Sequence, residues 1–323
     1  MAKSTDFWGI VSSYSRFLIT SHVRPDVDAV GSEIALALFL EKMSKETRIV
    51  NEGPLPASFG FLPRHDRVNA YPEGMDFDYQ ALILLDAPEI GRAGALQEAA
   101  DKAPVLIVDH HPYANRIADF AWIDPRASST GELLYRFMGE HRELVDPDIA
   151  SCLYAAIMAD TGRFTYANTS ADTLAAAAEL ASLGASPHDL ATSYYENVSE
   201  GFLSILAVAA SGIRRAAGGA LAYTTLSWQD FERAHVGQEV ATELAELPRS
   251  LAGVTIGALL REIAGGTRVS LRSKGDADVK EIAEHFGGGG HHKASGFFLE
   301  LPLAEAEIVM VRYLEEYLAN QRG

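Results

Sequence analysis

The sequence predicts two α/β domains: a larger N-terminal domain with a parallel sheet flanked by helices, and a smaller C-terminal domain with a mixed arrangement. In the first half of the chain, near-continuous apolar runs alternate with helical patterns, as in sheets that are buried on both faces. The sequence SLGASP at 182–187 ends this alternation with a helix-capping glycine and a proline. The length of 323 residues also exceeds that of one average domain. We expect the domains at 1–187 and 217–323, joined by a helical linker at 188–216.

In the first domain, strands are predicted from short apolar runs and helices from apolar residues that recur with a 3.6-residue period. Ser129 and Glu132 have the spacing of a capping box and mark the start of one helix. The predicted strands are 16–22, 47–52, 81–86 and 105–110, and the predicted helices are 31–43, 88–99, 130–141, 147–159 and 171–183.

The second domain has shorter apolar runs and a glycine-rich stretch between a helical pattern and a strand pattern. This sequence pattern is typical of a small mixed sheet that is covered by helices. The predicted strands are 221–226, 254–261, 268–272 and 296–301, and the predicted helices are 228–247, 278–286 and 303–320.

Composition and charge exclude some classes of function. The formal net charge of −17 opposes tight binding of long duplex DNA, which requires a basic surface, whereas a short anionic substrate needs only a few local cations. No apolar run has the length of a membrane span, and the start of the chain lacks the pattern of a secretory signal. The single cysteine, Cys152, fits a reducing compartment and is interpreted as a buried packing residue. We therefore expect a cytoplasmic protein with no membrane partner.

Acidic and imidazole side chains follow four apolar segments. Ligands bind outside the carboxyl ends of parallel strands, so we expect these segments to converge. Taken singly, most aspartates have a structural alternative as helix caps or turn formers. The triplet Asp109-His110-His111 is harder to explain in this way, because three polar groups at the end of a buried strand need partners. The candidate metal ligands are His22, Asp26, Asp28, Asp86, His110 and Asp160.

This oxygen-rich set with imidazoles and without cysteine suits Mn²⁺ or Mg²⁺ better than structural zinc. Six candidate ligands are too many for one ion and sufficient for a pair. A pair of ions can clamp the attacking and leaving oxygens of a phosphoryl displacement. The cofactor hypothesis is two divalent ions, with Mn²⁺ favoured and Mg²⁺ or Co²⁺ as alternatives.

The segment Gly287–Phe297, GGGGHHKASGF, has two interpretations. It could be a flexible linker, or its backbone N–H groups could approach an anion closely because glycine has no side chain. An arginine at the end of a predicted strand can contact a phosphate through two N–H groups. The predicted substrate contacts are Arg272, Ser273, Gly289, Gly290, His291 and Lys293, with Arg163 as a further candidate from the first domain.

The order and spacing of the four motifs resemble those of the DHH phosphoesterase superfamily. They are HVRPDVDAVGS from His22, the strand-end Asp86, the DHH triplet at 109–111 and DTG at 160–162. The glycine-rich segment is similar to the GGGH-x-x-A-x-G signature of the DHHA1 domain, over residues 288–296. Together the two resemblances cover nearly the whole chain, in the compact arrangement of the NrnA-like branch of nanoRNases and pAp phosphatases.

The resemblance implies a role for each motif. His111 would contact a phosphoryl oxygen or protonate the leaving group, and Asp109 would orient the histidines. The substrate contacts of the second domain would hold the phosphate from the other side of a cleft. The implied ligands of one metal ion are His22, Asp26 and Asp86, and those of the other are Asp28, Asp86, His110 and Asp160, so that Asp86 bridges.

The resemblance also implies an activity: hydrolysis of short oligoribonucleotides and of 3′-phosphoadenosine 5′-phosphate (pAp) by in-line attack of hydroxide. Expected partners are therefore short RNA and small nucleotides, and a homodimer is left open. The same chemistry on pApA or cyclic di-AMP is the alternative, and inorganic pyrophosphate is a further one. A non-catalytic nucleotide sensor is a hypothesis of a different class, but such proteins usually lack a ligand, and none is missing here.

Overall fold

A computed structural model of the chain describes residues 4–111 and 118–321. The chain divides into two compact units, Met1–Asn197 and Val198–Gly323. The stretch predicted as a linker, 188–216, is divided between them: its first residues lie in the last helix of the first unit, and most of the rest in the first helix of the second. Of the helices in the described ranges, none is long and apolar enough to span a membrane.

The first unit is built on a parallel sheet, which confirms the predicted fold class. Its strands are β1 (Arg16–Thr20), β2 (Glu46–Asn51), β3 (Val68–Ala70), β4 (Ala81–Leu85), β5 (Val105–Asp109) and β6 (Phe120–Ile123). They lie in the order β3-β2-β1-β4-β5-β6, and every neighbouring pair is parallel. Strands β4 and β5 are buried along their whole length, as their apolar sequences predict. The two edge strands β3 and β6 were not predicted, because three and four residues are too few to show a period.

Helices cover this sheet. They are α1 (Ser4–Ser13), α2 (Val27–Lys42), α3 (Thr130–Phe137), α4 (Pro147–Asp160), α5 (Ala171–Ser182) and α6 (Pro187–Tyr195). The predicted start of α2 at Gly31 was wrong, because Asp26 caps the helix by accepting a hydrogen bond from Ala29 N. The predicted helix 88–99 is instead a 3-10 segment, Ile90–Asp101, which Gly94 interrupts with φ 61°.

Two glycines allow the helices behind the sheet to pack closely. A Cβ on Gly31 of α2 would lie 2.7 Å from the carbonyl oxygen of Cys152 in α4. A Cβ on Gly131 of α3 would lie 2.6 Å from the Cβ of Ala156, also in α4. Real Cβ atoms do not approach other atoms this closely, so both positions require glycine. This packing brings the amino ends of α2 and α3 near the carboxyl end of α4.

The second unit contains a mixed sheet in the order β11-β12-β10-β9-β8-β7, in which only the β8–β9 pair is parallel. Its strands are β7 (Arg214–Ala216), β8 (Leu221–Leu226), β9 (Ile256–Ile263), β10 (Gly266–Ser273), β11 (Gly289–His291) and β12 (Ala294–Leu299). Its helices are α7 (Glu200–Ser211), α8 (Trp228–Ala234), α9 (Ala241–Leu244), α10 (Glu246–Ser250), α11 (Val279–His285) and α12 (Leu303–Asn320).

Two predictions for the second unit were wrong in part. The single helix expected at 228–247 is broken, because His235 takes a left-handed conformation with φ 53° at the end of α8. The glycine-rich segment is not all loop: Gly289–His291 forms an edge strand, antiparallel to β12. Helix α12 matches its predicted bounds and packs on the sheet through Met310, Leu314 and Leu318.

Candidate metal centre

The four polar segments converge at the carboxyl ends of β1, β4 and β5 and of helix α4. The imidazole of His110, after β5, is the centre of one group. Its Nε2 atom lies 3.5 Å from Asp86 Oδ1, 3.5 Å from Asp160 Oδ2 and 3.9 Å from Asp28 Oδ2. Three carboxylates from three different elements therefore surround one imidazole nitrogen.

A second group lies beside the first. The Nε2 atom of His22 is 3.6 Å from Asp86 Oδ2, and donor atoms of His22, Asp26 and Asp86 all lie within 4.8 Å of one another. The Nδ1 atom of His22 is 2.9 Å from the carbonyl oxygen of Val23, which turns Nε2 toward the carboxylates. Asp86 contacts both groups through its two oxygens, so it occupies the position that a bridging ligand requires.

The backbone of Asp86 is unusual. This residue follows β4 directly and has φ 54°, in the left-handed region that few residues other than glycine, asparagine and aspartate adopt. Its N–H donates to Val108 O at 3.1 Å, and its Oδ1 accepts a hydrogen bond from Thr130 Oγ1 at 3.1 Å. Both contacts fix the carboxylate over the strand ends.

The amino end of α3 holds Asp28. Thr130 N donates to Asp28 Oδ2 at 2.7 Å and Gly131 N donates to Oδ1 at 2.8 Å. Unpaired N–H groups and the helix dipole favour a carboxylate at such an end. The sequence did not reveal this contact, although the capping residue Ser129 marked where the helix starts. The contact explains why a fully buried aspartate keeps one orientation.

The three residues of the DHH triplet have different environments. Asp109 is fully buried at the end of β5, and its Oδ1 lies 3.1 Å from His111 N and 2.9 Å from His111 Nδ1. Asp109 therefore orients the ring of His111. That ring is one-third exposed, and its Nδ1 is also 3.6 Å from Asp86 Oδ1. His110 points into the carboxylate group, and His111 lies at its edge.

Burial and the neighbouring charges shift the pKa values of these side chains. Burial disfavours a charged imidazole, but the neighbouring carboxylates outweigh it and raise the pKa of His110 to about 10 and that of His22 to about 9. Burial, together with the carboxylate of Asp86, raises the pKa of Asp160 to about 6 and that of Asp28 well above its usual range. The cluster thus carries more negative charge than its surroundings stabilise.

These residues fit a divalent cation. The nitrogen-to-oxygen distances of 3.5–3.9 Å around His110 are too long for hydrogen bonds, and its buried Nε2 has no hydrogen-bond partner among the described residues. Ligand atoms that share one ion at about 2.0–2.2 Å lie roughly 3–3.5 Å apart. An unsatisfied nitrogen among excess carboxylates is therefore what a site for a hard or borderline cation requires.

A second polar layer, which the sequence did not reveal, lies behind His22. Glu33 of α2 is fully buried and accepts a hydrogen bond from Asn51 Nδ2 at 2.9 Å. Thr20 Oγ1 lies 3.4 Å from Asn51 Oδ1. Burial raises the pKa of Glu33 to about 7. The only signal in the sequence is a glutamate at a position of α2 that is otherwise flanked by apolar and small residues.

In the second unit, three of the predicted substrate contacts have partners within the unit. Arg272 Nε donates to Glu246 Oε1 at 2.5 Å. Ser273 is buried, and its hydroxyl donates to Ala277 O at 2.8 Å. The ammonium of Lys293 donates to the carbonyl oxygens of Gly275 and Ala277. Contact of Arg272, Ser273 or Lys293 with a substrate would require these hydrogen bonds to be exchanged.

The remaining predicted contacts are more accessible. Gly289, Gly290 and His291 of β11 are exposed at the edge of the sheet. Gly290 has φ 141°, and a Cβ there would lie 2.6 Å from Ala294 O, so this position requires glycine. Arg163, in the first unit, is exposed, and its guanidinium stacks on the ring of Tyr195 at 4.2 Å.

Comparison with known proteins agrees with this geometry. The model of the DHH family, N-terminal domain, matches residues 16–157, and that of the DHHA1 domain matches residues 218–320. The chain is 29% identical over 300 residues to the bifunctional oligoribonuclease and PAP phosphatase NrnA of Bacillus subtilis, covering 90% of this chain and 92% of that protein.

A more distant relative is the cyclic-di-AMP phosphodiesterase PdeA of Listeria monocytogenes, which is 24% identical over 95% of this chain and 48% of its own length. Among solved structures, an exopolyphosphatase-related protein from Bacteroides fragilis superposes with a TM-score of 0.93 at 25% identity. That match covers 99% of this chain and 97% of the other.

Proposed function

This chain is a DHH-family phosphoesterase with a DHHA1 domain, and from that premise we propose that it hydrolyses short oligoribonucleotides and pAp. One observation carries the proposal: Asp86 is shared by two groups of potential ligands, His22 with Asp26 and His110 with Asp28 and Asp160. A shared carboxylate between two groups is the arrangement that a pair of ions requires. The similarity to an oligoribonuclease and PAP phosphatase over nine-tenths of the chain supports the substrate class.

Two divalent ions are the proposed cofactors, with Mn²⁺ first among them because both imidazoles and carboxylates are present. His22, Asp26 and Asp86 would hold one ion, and Asp28, Asp86, His110 and Asp160 the other. When bound, such ions lower the pKa of water and neutralise charge on a phosphoryl group. The buried, free Cys152 agrees with our proposal of a cytoplasmic location.

The protein's own residues prepare the site for proton transfer. Burial disfavours a charged ring, but Asp109 and Asp86 raise the pKa of His111, so it is protonated more readily than an ordinary histidine. Asp109 holds its Nδ1 and fixes the ring. A proton held on His111 at the edge of the cluster can pass to the leaving oxygen of the substrate. The amino end of α3 keeps Asp28 oriented while this occurs.

We further propose that the second unit contributes to binding the substrate phosphate. Gly289, Gly290 and His291 are exposed and belong to the DHHA1 signature. Arg272, Ser273 and Lys293 would join them by exchanging their present partners, and Arg163 would contribute from the first unit. Backbone N–H groups at glycine approach an anion more closely than those at other residues.

A second candidate is hydrolysis of cyclic di-AMP or pApA. The phosphodiesterase PdeA aligns with 95% of this chain, which supports the same chemistry on a related dinucleotide. The identity to it is lower than to the oligoribonuclease, and the alignment covers less than half of PdeA. We therefore place this substrate second.

The decisive experiment compares substrates side by side. Protein stripped of metal and reloaded with Mn²⁺ is assayed on RNA of two to five nucleotides, pAp, pApA, cyclic di-AMP and pyrophosphate. We expect the highest kcat/KM on short RNA and pAp, and no turnover after chelation. Preference for cyclic di-AMP would select the second candidate, whereas full activity after chelation would exclude a metal-dependent reaction.

A further inference from the structure

Two arginines of the first unit, Arg24 and Arg92, have no side-chain partner among the residues that the structure describes. Ten arginines of this unit lie in the described part of the chain, and eight of them contact an acidic side chain, a carbonyl oxygen or an aromatic ring. Those eight are Arg16, Arg48, Arg64, Arg67, Arg126, Arg136, Arg142 and Arg163. The guanidinium groups of Arg24 and Arg92 are exposed, and within 4–111 and 118–321 neither has a hydrogen bond or ion pair.

These two arginines lie beside the His22 group of ligands. Arg24 is two residues after His22 and two before Asp26, and it has φ 53°. Arg92 follows Asp86 by six residues, in the 3-10 segment. A backbone hydrogen bond of 2.8 Å, from Val23 N to Arg92 O, ties the two segments together. The backbone segments that carry the two arginines are thus joined next to His22, one of the candidate ligands.

The absence of partners is unexpected from composition. The chain has 44 acidic residues against 27 Lys and Arg residues, so a randomly placed surface arginine has many carboxylates to meet. Two exposed arginines on segments that a backbone hydrogen bond joins, close in the chain to His22 and Asp86, favour a role other than solvation alone. The local cations attract anions that the net charge of −17 repels at longer range.

We propose that Arg24 and Arg92 form an anion subsite that binds the phosphate next to the one being hydrolysed. The inference rests on the proposed function, whose substrates carry at least two phosphates or a phosphate beside a phosphodiester. The metal centre receives the reacting phosphoryl group, and the neighbouring phosphate meets two guanidinium groups, whose planar donors suit phosphate oxygens. The subsite makes the enzyme prefer short chains with a terminal phosphate.

The test pairs changes in the protein with a change in the substrate. Arg24→Gln, Arg92→Gln and the double variant remove charge without adding a β-branch at the left-handed position. Each is assayed on pApA and on ApA, which lacks the terminal phosphate, with ApA also measured as a competitive inhibitor. We expect KM for pApA to rise about tenfold for each single variant, with kcat nearly unchanged. The inhibition constant of ApA should stay the same. In the double variant the two ligands should bind equally.

Two controls separate a binding role from a structural one. Arg24→Lys and Arg92→Lys keep the charge without the planar donors, and should restore part of the affinity for pApA that the Gln variants lose. Lys102→Gln removes another exposed cation, just past the end of the 3-10 segment that carries Arg92. This variant should leave the KM for pApA and the inhibition constant of ApA unchanged. If the variants weaken the binding of pApA and of ApA by the same factor, they only disturb the loops.

The result also distinguishes failure of this inference from failure of the proposed function. If the wild-type enzyme hydrolyses neither short RNA nor pAp, the function is wrong. If it hydrolyses them but binds pApA and ApA equally, or if the double variant keeps the preference for pApA, the subsite does not exist.

Discussion

In the first unit, Nε2 of His110 lies 3.5 Å from both Asp86 and Asp160 and has no hydrogen bond to any residue that the structure describes. In the second unit, by contrast, Arg272 donates to Glu246 and the hydroxyl of Ser273 donates to the carbonyl oxygen of Ala277. Both sets of residues belong to recognisable motifs. The fold leaves a buried nitrogen of the first set without a hydrogen bond from the described residues and satisfies much of the second set.

The two sets of polar residues therefore have different implications for ligand binding. Unpaired buried groups raise the free energy of the folded protein unless a ligand compensates them, so the geometry of the first cluster is that of a site able to hold a cation. Paired groups such as Arg272 need no ligand for stability. Their function depends on whether a substrate can replace the internal partner.

The largest effect is expected at Asp86. Asp86→Asn keeps the shape and suits φ 54°, because asparagine tolerates the left-handed region. The variant removes the charge that both ligand groups share, so kcat should fall by at least about a thousandfold on every substrate. Calorimetric titration with Mn²⁺ should show loss of tight binding.

Asp78→Asn is the matched control, because Asp78 is an exposed aspartate of the same unit that pairs with Arg16, away from the candidate ligands. It should keep full activity. Near-normal turnover of Asp86→Asn with excess Mn²⁺ would contradict the assignment of Asp86 as a bridging ligand, and would remove the main contrast between the two units.

The convergence of the candidate ligands was predictable from the sequence because each motif is local. An aspartate that ends a fully apolar strand, such as Asp86 after β4, must emerge at the carboxyl edge of the sheet, whatever the rest of the fold does. The same holds for the triplet after β5. Parallel order then brings these edges together, and the six candidate ligands converge as the alternation of strands and helices suggested.

The supporting contacts were not predictable, since they join residues far apart in the chain. Thr130 donates to Asp28 across 102 positions, and no local pattern encodes that pairing. Glu33 lies among apolar neighbours in α2, where a single glutamate resembles an ordinary surface position. In the second unit, the glycine run 287–290 is typical of a loop. Part of it forms a strand because β12 offers hydrogen-bond partners to Gly289–His291.

A smaller effect, on stability rather than rate, is expected at Glu33. Burial raises its pKa to about 7 from 4.5, so the folded protein favours the protonated form. The associated stability is present below pH 4.5 and is lost as the pH rises through 7. Between pH 5 and 8 the wild type should lose roughly 2–3 kcal/mol relative to Glu33→Gln, which stays neutral.

Calorimetry of the metal-free protein checks this prediction. The melting temperatures of wild type and Glu33→Gln should be similar at pH 5 and differ at pH 8 by on the order of 5 °C, with the variant more stable. Asn51→Leu, which removes the hydrogen-bond donor to Glu33, should destabilise at both pH values. A pH-independent difference between wild type and Glu33→Gln would show that Glu33 does not titrate in this range.

The smallest effect is expected in the second unit, at the pair of Arg272 and Glu246. If substrate phosphate replaces Glu246 as the partner of Arg272, then Arg272→Ala should raise KM about tenfold, and Glu246→Gln should lower KM by roughly threefold, because it frees the guanidinium. Steady-state kinetics on pAp measures both. If both variants reduce thermal stability to the same extent and leave KM unchanged, Arg272 stabilises the fold and does not bind the substrate. The paired polar residues of the second unit would then have a structural role, unlike the candidate metal ligands of the first unit.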